Sequence, residues 1–271
     1  MQTRTATINS IPMRWEEQGE GTPVVLVHGI PTSPALWRHV VPRISGARCL
    51  AWEMVGYGHS GEQGAGRDIS VARQAEYLHA WMDHLDLDGA VLVGHDLGGG
   101  VAQVAAVRDP SRLRGLVLTN CISYDSWPVT PMKVIATGAP VVSRLPNAVF
   151  SRMLERFYRP GHDTADQARE AYEAHWPGYR DSGGAAAFAR QAQSLDSGDT
   201  EAIAGQLPQL SLPARLVWGT GDDFQPVSYG RRLADDLGAE LREIDGAKHF
   251  TPEDHPEPIA EAIDDLLREV G

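Results

Sequence analysis

The sequence is short of cysteine, of cationic side chains and of long apolar runs. Only Cys49 and Cys121 occur in 271 residues, each beside or at the end of an apolar run, which points to buried reduced thiols rather than a disulfide framework. Lys and Arg number 24 against 36 Asp and Glu, a formal net charge of -12. That balance disfavours nucleic acid and anionic membrane as partners, because phosphate binding needs clustered cations. No apolar stretch approaches the ~20 residues of a membrane span. The opening residues also lack the basic start and apolar core of a secretory signal, so a cytoplasmic protein is expected. No histidine cluster has metal-ligand spacing, and nothing in the sequence requires a metal or an organic cofactor.

A further absence is local. In the pentapeptide Gly94-His95-Asp96-Leu97-Gly98, which follows the apolar run 90–93, a carboxylate stands where a serine would make the centre of a nucleophile elbow. Small residues two before and two after the central position let a strained strand-to-helix turn lift that side chain above a sheet, and Gly94 and Gly98 meet the need. A serine there attacks carbonyl carbon. A carboxylate attacks saturated carbon bearing a leaving group and becomes an alkyl ester, so epoxides or alkyl halides are the expected substrates. A serine esterase is disfavoured, since Ser60 belongs to a different turn.

With 42 % hydrophobic residues the chain can bury a core of one α/β domain carrying an insertion. Residues 5–17 alternate as an antiparallel pair broken at Asn9-Ser10. Short continuous apolar runs follow at 24–27, 48–51, 90–93, 116–118 and 215–218, the pattern of parallel strands covered on both faces. Amphipathic stretches at 71–85, 97–108, 229–237 and 258–270 read as the helices between and after them. Ligands then belong at the carboxyl ends of the strands.

The alternation fails between residues 123 and 212, too long a stretch for a structureless loop. Helical spacing at Phe150, Leu154 and Phe157 and at Ala168, Ala171 and Tyr172 predicts an inserted helical cap able to exclude water from a pocket. The expected organisation is a first core part at 1–122, a helical cap at 123–212 and a second core part at 213–271.

A carboxylate nucleophile needs backbone donors for oxyanion charge, a base to activate water, and an acid to orient the base. His28-Gly29-Ile30-Pro31 directly follows the run 24–27, so the Ile30 amide sits at a strand end, and Leu97 supplies the amide after the nucleophile. His28 itself is read as fixing that loop. Asp222, after the run ending at Trp218, is the expected orienting carboxylate, with Asp223 as its rival. His249, in a loop after the strand-like 240–244, is the expected base; His79 and His84 fall on a polar helix face, and His162 and His255 in charged turns.

At these residues the chain resembles the α/β-hydrolase superfamily, in its aspartate-nucleophile branch of epoxide hydrolases and haloalkane dehalogenases. The resemblance rests on the segment from His28 to Trp37, on Gly56-Tyr57-Gly58-His59-Ser60, on Val93 to Gly99, on Trp218 to Asp222 and on His249-Phe250 with Glu253-Asp254. It implies a mostly parallel eight-stranded sheet flanked by helices, with attack by Asp96, water activated by His249, and Asp222 orienting that histidine. It also implies an oxyanion held by the Ile30 and Leu97 amides. The dehalogenase pattern usually has tryptophan just after the nucleophile and often asparagine after the His-Gly pair, both donating to halide; here these positions are Leu97 and Ile30. Trp127 or Trp176 from the cap is the candidate replacement. Epoxide hydrolases protonate the opening ring with cap tyrosines, for which Tyr158, Tyr172 and Tyr179 are candidates. Trp52-Glu53 replaces the more usual Pro-Asp, a change expected to act on loop structure rather than chemistry. The leading expectation is epoxide hydrolysis through an alkyl ester, on a small apolar substrate with water as co-substrate. The alternatives are a dehalogenase with an altered halide site and a non-hydrolytic enzyme on the same scaffold. The oligomeric state stays open, a homodimer included.

Overall fold

The computed structural model describes all residues, Met1–Gly271. Eight strands form one sheet: β1 (Gln2–Ile8), β2 (Ile11–Gln18), β3 (Thr22–Val27), β4 (Ala47–Trp52), β5 (Ala90–Asp96), β6 (Leu113–Cys121), β7 (Ala214–Gly219) and β8 (Glu240–Ile244). Their order is β1-β2-β4-β3-β5-β6-β7-β8. β1 and β2 pair antiparallel, as do β2 and β4, and every other neighbour is parallel. Asn9 and Ser10, both at positive φ, make the tight turn of the first hairpin.

The central strands carry unbroken apolar runs because helices cover both faces. Val24, Val25, Leu26 and Val27 of β3 and Ala90 to Val93 of β5 have no solvent exposure. Around the sheet lie α1 (Val71–His84), α2 (Leu97–Arg108), α9 (Val227–Leu237), the short α10 (Thr251–Asp254) and α11 (Pro256–Val270). Ser70 caps α1 by accepting from the Arg73 amide. On α11 the apolar stripe Ile259, Ile263 and Leu266 is buried while the opposite face carries charge.

Between β6 and β7 the chain leaves the sheet for α3 (Thr130–Thr137), α4 (Ala139–Val142), α5 (Asn147–Tyr158), α6 (Ala165–Asp181), α7 (Gly184–Gln193) and α8 (Gly198–Glu201). Phe150 and Leu154 on α5 and Ala168 and Ala171 on α6 are buried, as their spacing predicts. Phe150 sits at the centre of an aromatic cluster with Trp176, Tyr179 and Phe188, ring centroids 5.6 to 6.0 Å apart.

These helices are tied to the strand ends by buried polar contacts. His162, just after α5, lies 2.8 Å from Asp254 of α10, and the neighbouring Asp163 accepts from the Lys248 amide at 3.0 Å. His162 lies in a charged turn, as its sequence surroundings suggest, and its side chain there is fully buried because the carboxylates of α10 supply its partners. Glu253 bonds His175 of α6 and pairs with Arg38. Burial alone would raise the Glu253 carboxyl, but His175, Arg38 and His162 hold it down at about 2.

Glu53, just past β4, is also buried. It accepts from Ser60 at 2.8 Å and from Arg14 at 3.3 Å, pinning the loop that leads to α1. Burial opposes its charge, yet His59, Arg14 and Ser60 together keep the carboxyl below the usual carboxylate range. Glu53→Ala should therefore cost about 2–3 kcal/mol in urea unfolding at neutral pH, by leaving Ser60 and Arg14 without their partner. Glu53→Gln should cost less, since it keeps an acceptor for Ser60. A depressed folded-state pKa stabilises fully above the unfolded value and is lost as pH falls through the folded one, so the difference from Glu53→Gln should shrink in acid.

Candidate active site

The site begins with a strained backbone. Asp96 ends β5 and starts α2 with φ 51° and ψ -123°, a conformation L-residues avoid. The turn closes only because its neighbours are glycine. A Cβ on Gly98 would meet the Val27 carbonyl oxygen at 2.1 Å, and one on Gly94 would meet the Gly99 Cα at 2.5 Å. These close approaches press the start of α2 against the end of β3 and bring the Asp96 carboxylate to the loop that follows β3.

There the Ile30 amide donates to Asp96 Oδ1 at 2.9 Å, and the Leu97 amide beside the carboxylate favours its charge. His28 holds this loop. The Met54 amide donates to its Nε2 at 3.2 Å, so Nδ1 carries the proton and donates to the Gly29 carbonyl at 2.9 Å. Burial pushes its pKa down to about 4, so the ring is a neutral strut, as the sequence suggests.

On the opposite side, His249 Nε2 lies 3.6 Å from Asp96 Oδ2, too long for a direct hydrogen bond. His249 Nδ1 is 2.8 Å from Asp222 Oδ2. Asp222 also accepts from the Phe224 and Gln225 amides at 2.8 and 3.0 Å and from Asn120 Nδ2 at 2.7 Å. Asp223, its rival in the sequence, is exposed. Burial would raise the Asp222 carboxyl, but His249, Asn120 and the Gln225 amide hold it below the usual range. For His249, burial disfavours the imidazolium, and the charges of Asp222 and Asp96 outweigh it and raise the pKa. Asp96 is pushed up by burial, against the pull of His249 and its two amide donors.

Two supports went unread in the sequence. Asn120, at the end of β6, accepts from the Gly219 amide at 3.1 Å and from Thr251 at 3.0 Å while donating to Asp222. His95, inside the elbow itself, reaches the His249 carbonyl at 2.9 Å, and burial drives its pKa down to about 3, so it donates as a neutral ring. A lone polar residue within an apolar strand was the one available signal for each.

A cavity of about 30 Å³ lies over Asp96, walled by Ile30, Leu97, Trp127, Met132, Phe157 and Phe224 among others. Of the candidates for a cap acid, none lines it. Tyr158 donates to the Pro31 carbonyl at 2.6 Å and Tyr179 to Gln191 at 2.7 Å, while Tyr172 shares a 2.6 Å hydrogen bond with Ser151. Each hydroxyl has found its partner in packing the inserted helices. Trp176 stacks on Tyr172 away from the cavity. Trp127 does line the wall, but its indole N–H donates to Thr200 at 2.7 Å.

The family model for the alpha/beta hydrolase fold matches residues 22–256. Haloalkane dehalogenase 2 of Mycobacterium tuberculosis is 29 % identical over 263 residues, covering 93 % of this chain and 90 % of that protein. The 2-hydroxymuconate semialdehyde hydrolase of Pseudomonas putida is 30 % identical over 268 residues, covering 93 % and 89 %. Among solved structures, an alpha/beta hydrolase fold protein from Burkholderia ambifaria superposes with a TM-score of 0.88 at 25 % identity, covering 97 % of each chain.

The charges around His249 can be tested one at a time. Replacing Asp222 with Asn removes the strongest influence favouring the imidazolium, so the His249 pKa should fall, as read from its ring proton shifts by NMR. An unchanged value would mean that Asp96 and burial alone set it.

Proposed function

The chain belongs to the alpha/beta hydrolase fold family, and from that premise we propose that it is a hydrolase in which Asp96 displaces a leaving group from saturated carbon, with halide as the group best suited to this site. The observation that carries the reading is the carboxylate at the elbow, its Oδ1 held by the Ile30 amide and its Oδ2 facing His249. The 29 % identity to a haloalkane dehalogenase over most of both chains supports the same chemistry.

In this reading Oδ2 forms a bond to the substrate carbon as the carbon–halogen bond breaks, the electron pair leaving with the halide. Water then adds to the carbonyl carbon of the Asp96 ester while giving a proton to His249 Nε2. The oxyanion sits on Oδ1 between the Ile30 and Leu97 amides. Collapse of this intermediate expels the alkoxide, which takes the proton back from His249, and Asp96, left as the acid, releases its own proton to restore the carboxylate. The sum is alkyl halide plus water giving alcohol, halide and a proton.

Forming the ester also changes the base. The charge on Asp96 helps hold a proton on His249, and alkylation removes that charge. His249 then gives up its proton more readily and is left neutral, free to take one from water at the step where a base is needed. Asp222 keeps its orientation throughout.

Epoxide opening uses the same attack, but its oxygen stays on carbon and must gain a proton. The cavity wall carries no tyrosine, serine or threonine to give one. The raised pKa of His249 favours the one remaining proton donor, and this supports epoxide opening as a second reading.

Asp96→Asn should lower turnover by at least about 10⁴-fold, as loss of a nucleophile does in other hydrolases. His249→Gln should trap the ester. After incubation with bromoalkanes and epoxides, intact-mass analysis should show a gain equal to the bromoalkane less HBr, on the peptide containing Asp96. A gain equal to a whole epoxide would move the assignment to the second reading, and full turnover by the folded Asp96→Asn variant would end both. The rate of attack should fall as pH drops through a value above the ordinary carboxylate range, because burial raises Asp96 and only its ionised form attacks.

A further inference from the structure

One polar side chain in the cavity has no part in the chemistry described so far. Gln225 follows Asp222 by three residues and lines the same cavity as Asp96 and His249. It is 1 % exposed, and its Oε1 has no hydrogen-bond partner in the protein. Its backbone is fixed on both sides, the amide donating to Asp222 Oδ1 at 3.0 Å and the carbonyl accepting from Trp218 Nε1 at 2.8 Å. Leaving a buried polar atom unpartnered costs about 1–3 kcal/mol, a cost that an apolar residue at this position would avoid.

The leaving group, meanwhile, needs a donor. Leu97 and Ile30 are apolar in side chain, and the Trp127 indole is already bonded to Thr200. Beyond Asp96 and His249, Gln225 is the lining residue whose side chain brings free N–H groups to the cavity.

We propose that the Gln225 carboxamide is the hydrogen-bond donor that receives the leaving group, and so a residue that sets which leaving groups the site accepts. The assignment rests on the Asp96 ester reading. As the new carbon–oxygen bond forms and the halide departs with the bonding pair, a Gln225 N–H points at the growing negative charge. The amide keeps its proton. It therefore serves a group that leaves as a stable anion, and does not serve an epoxide oxygen, which requires the proton itself. The carboxamide is two-faced, and a half-turn about its last bond exchanges N–H for carbonyl, so the donor orientation is available without moving the backbone.

The test measures ester formation in the His249→Gln background, where the adduct on Asp96 accumulates, with and without Gln225→Met. Methionine has similar length and flexibility but no donor. With chlorobutane the adduct should form about 10²-fold more slowly when Gln225→Met is present, the typical loss of one preorganised donor. With bromobutane the loss should be smaller, because the better leaving group needs less help. Gln225→Met should melt no lower than its parent, since it removes an unpartnered polar atom. A second variant, Gln225→Glu, keeps the size and loses the donor to a negative charge, and it should slow chlorobutane at least as much.

Equal adduct rates with and without these substitutions would overturn the assignment and leave the Asp96 ester standing. A markedly lower melting temperature for Gln225→Met would overturn it too, by showing the side chain to be structural. No adduct on Asp96 while Gln225 is intact would overturn the ester reading and this assignment together.

Discussion

The arrangement depends on one close approach, that of α2 to the end of β3 at Gly98. Only a residue without a side chain lets the helix start within reach of the Val27 carbonyl. That contact fixes where the strained Asp96 can point, and hence which amides meet its carboxylate. The loop after β3, pinned by His28, brings Ile30 to Oδ1. Rigid sheet geometry then carries β6, β7 and the turn after β8 to the other side, with Asn120, Asp222 and His249. A shift of a few tenths of an ångström at Gly98 would pass to every distance in this set.

Within that frame, burial is what gives the charges their influence. Asp96, Asp222 and His249 share a space from which water is largely excluded, so each proton gained or lost is felt by the others. Asp222 is the stable anion of the group because it collects four donors, two from backbone and two from side chains. Asp96 has fewer, and the same burial raises its pKa while Asp222 is lowered. Two carboxylates at the ends of strands separated by β6 thus acquire different characters from the hydrogen bonds and charges around them.

The sheet was legible in the sequence because parallel strands buried on both faces read as unbroken apolar runs, as at 24–27 and 90–93. The elbow was legible because its glycines are fixed by close packing at a set spacing around Asp96. His249 and Asp222 could be picked by their positions at strand ends, and the structure brings both to Asp96. The tyrosines could not be placed. A phenol's partner is a matter of tertiary neighbours, and Tyr158 finds its own in Pro31, at the far end of the sequence from the inserted helices. Asn120 and Gln225 escaped notice for a related reason: each is one polar residue with no spacing rule, informative only once its surroundings are known. Glu53 was expected to act on its loop, and its bonds to Ser60 and Arg14 do so.

The inserted helices are fastened unevenly. Near α5 and α6 they are held by the buried contacts of His162 and His175 with Asp254 and Glu253, and separating such groups exposes or strands charge at a cost of several kcal/mol. On the α3 and α4 side Met132 meets the cavity through apolar contact, while Val134 and Val141 are 66 % and 71 % exposed. Parting apolar surfaces costs only in proportion to area, so the α3 and α4 edge is the less costly one to separate from the core. The turn bearing His249 is thus braced by the side of the inserted helices that holds charge, and a substrate met at the apolar edge would leave the base in place.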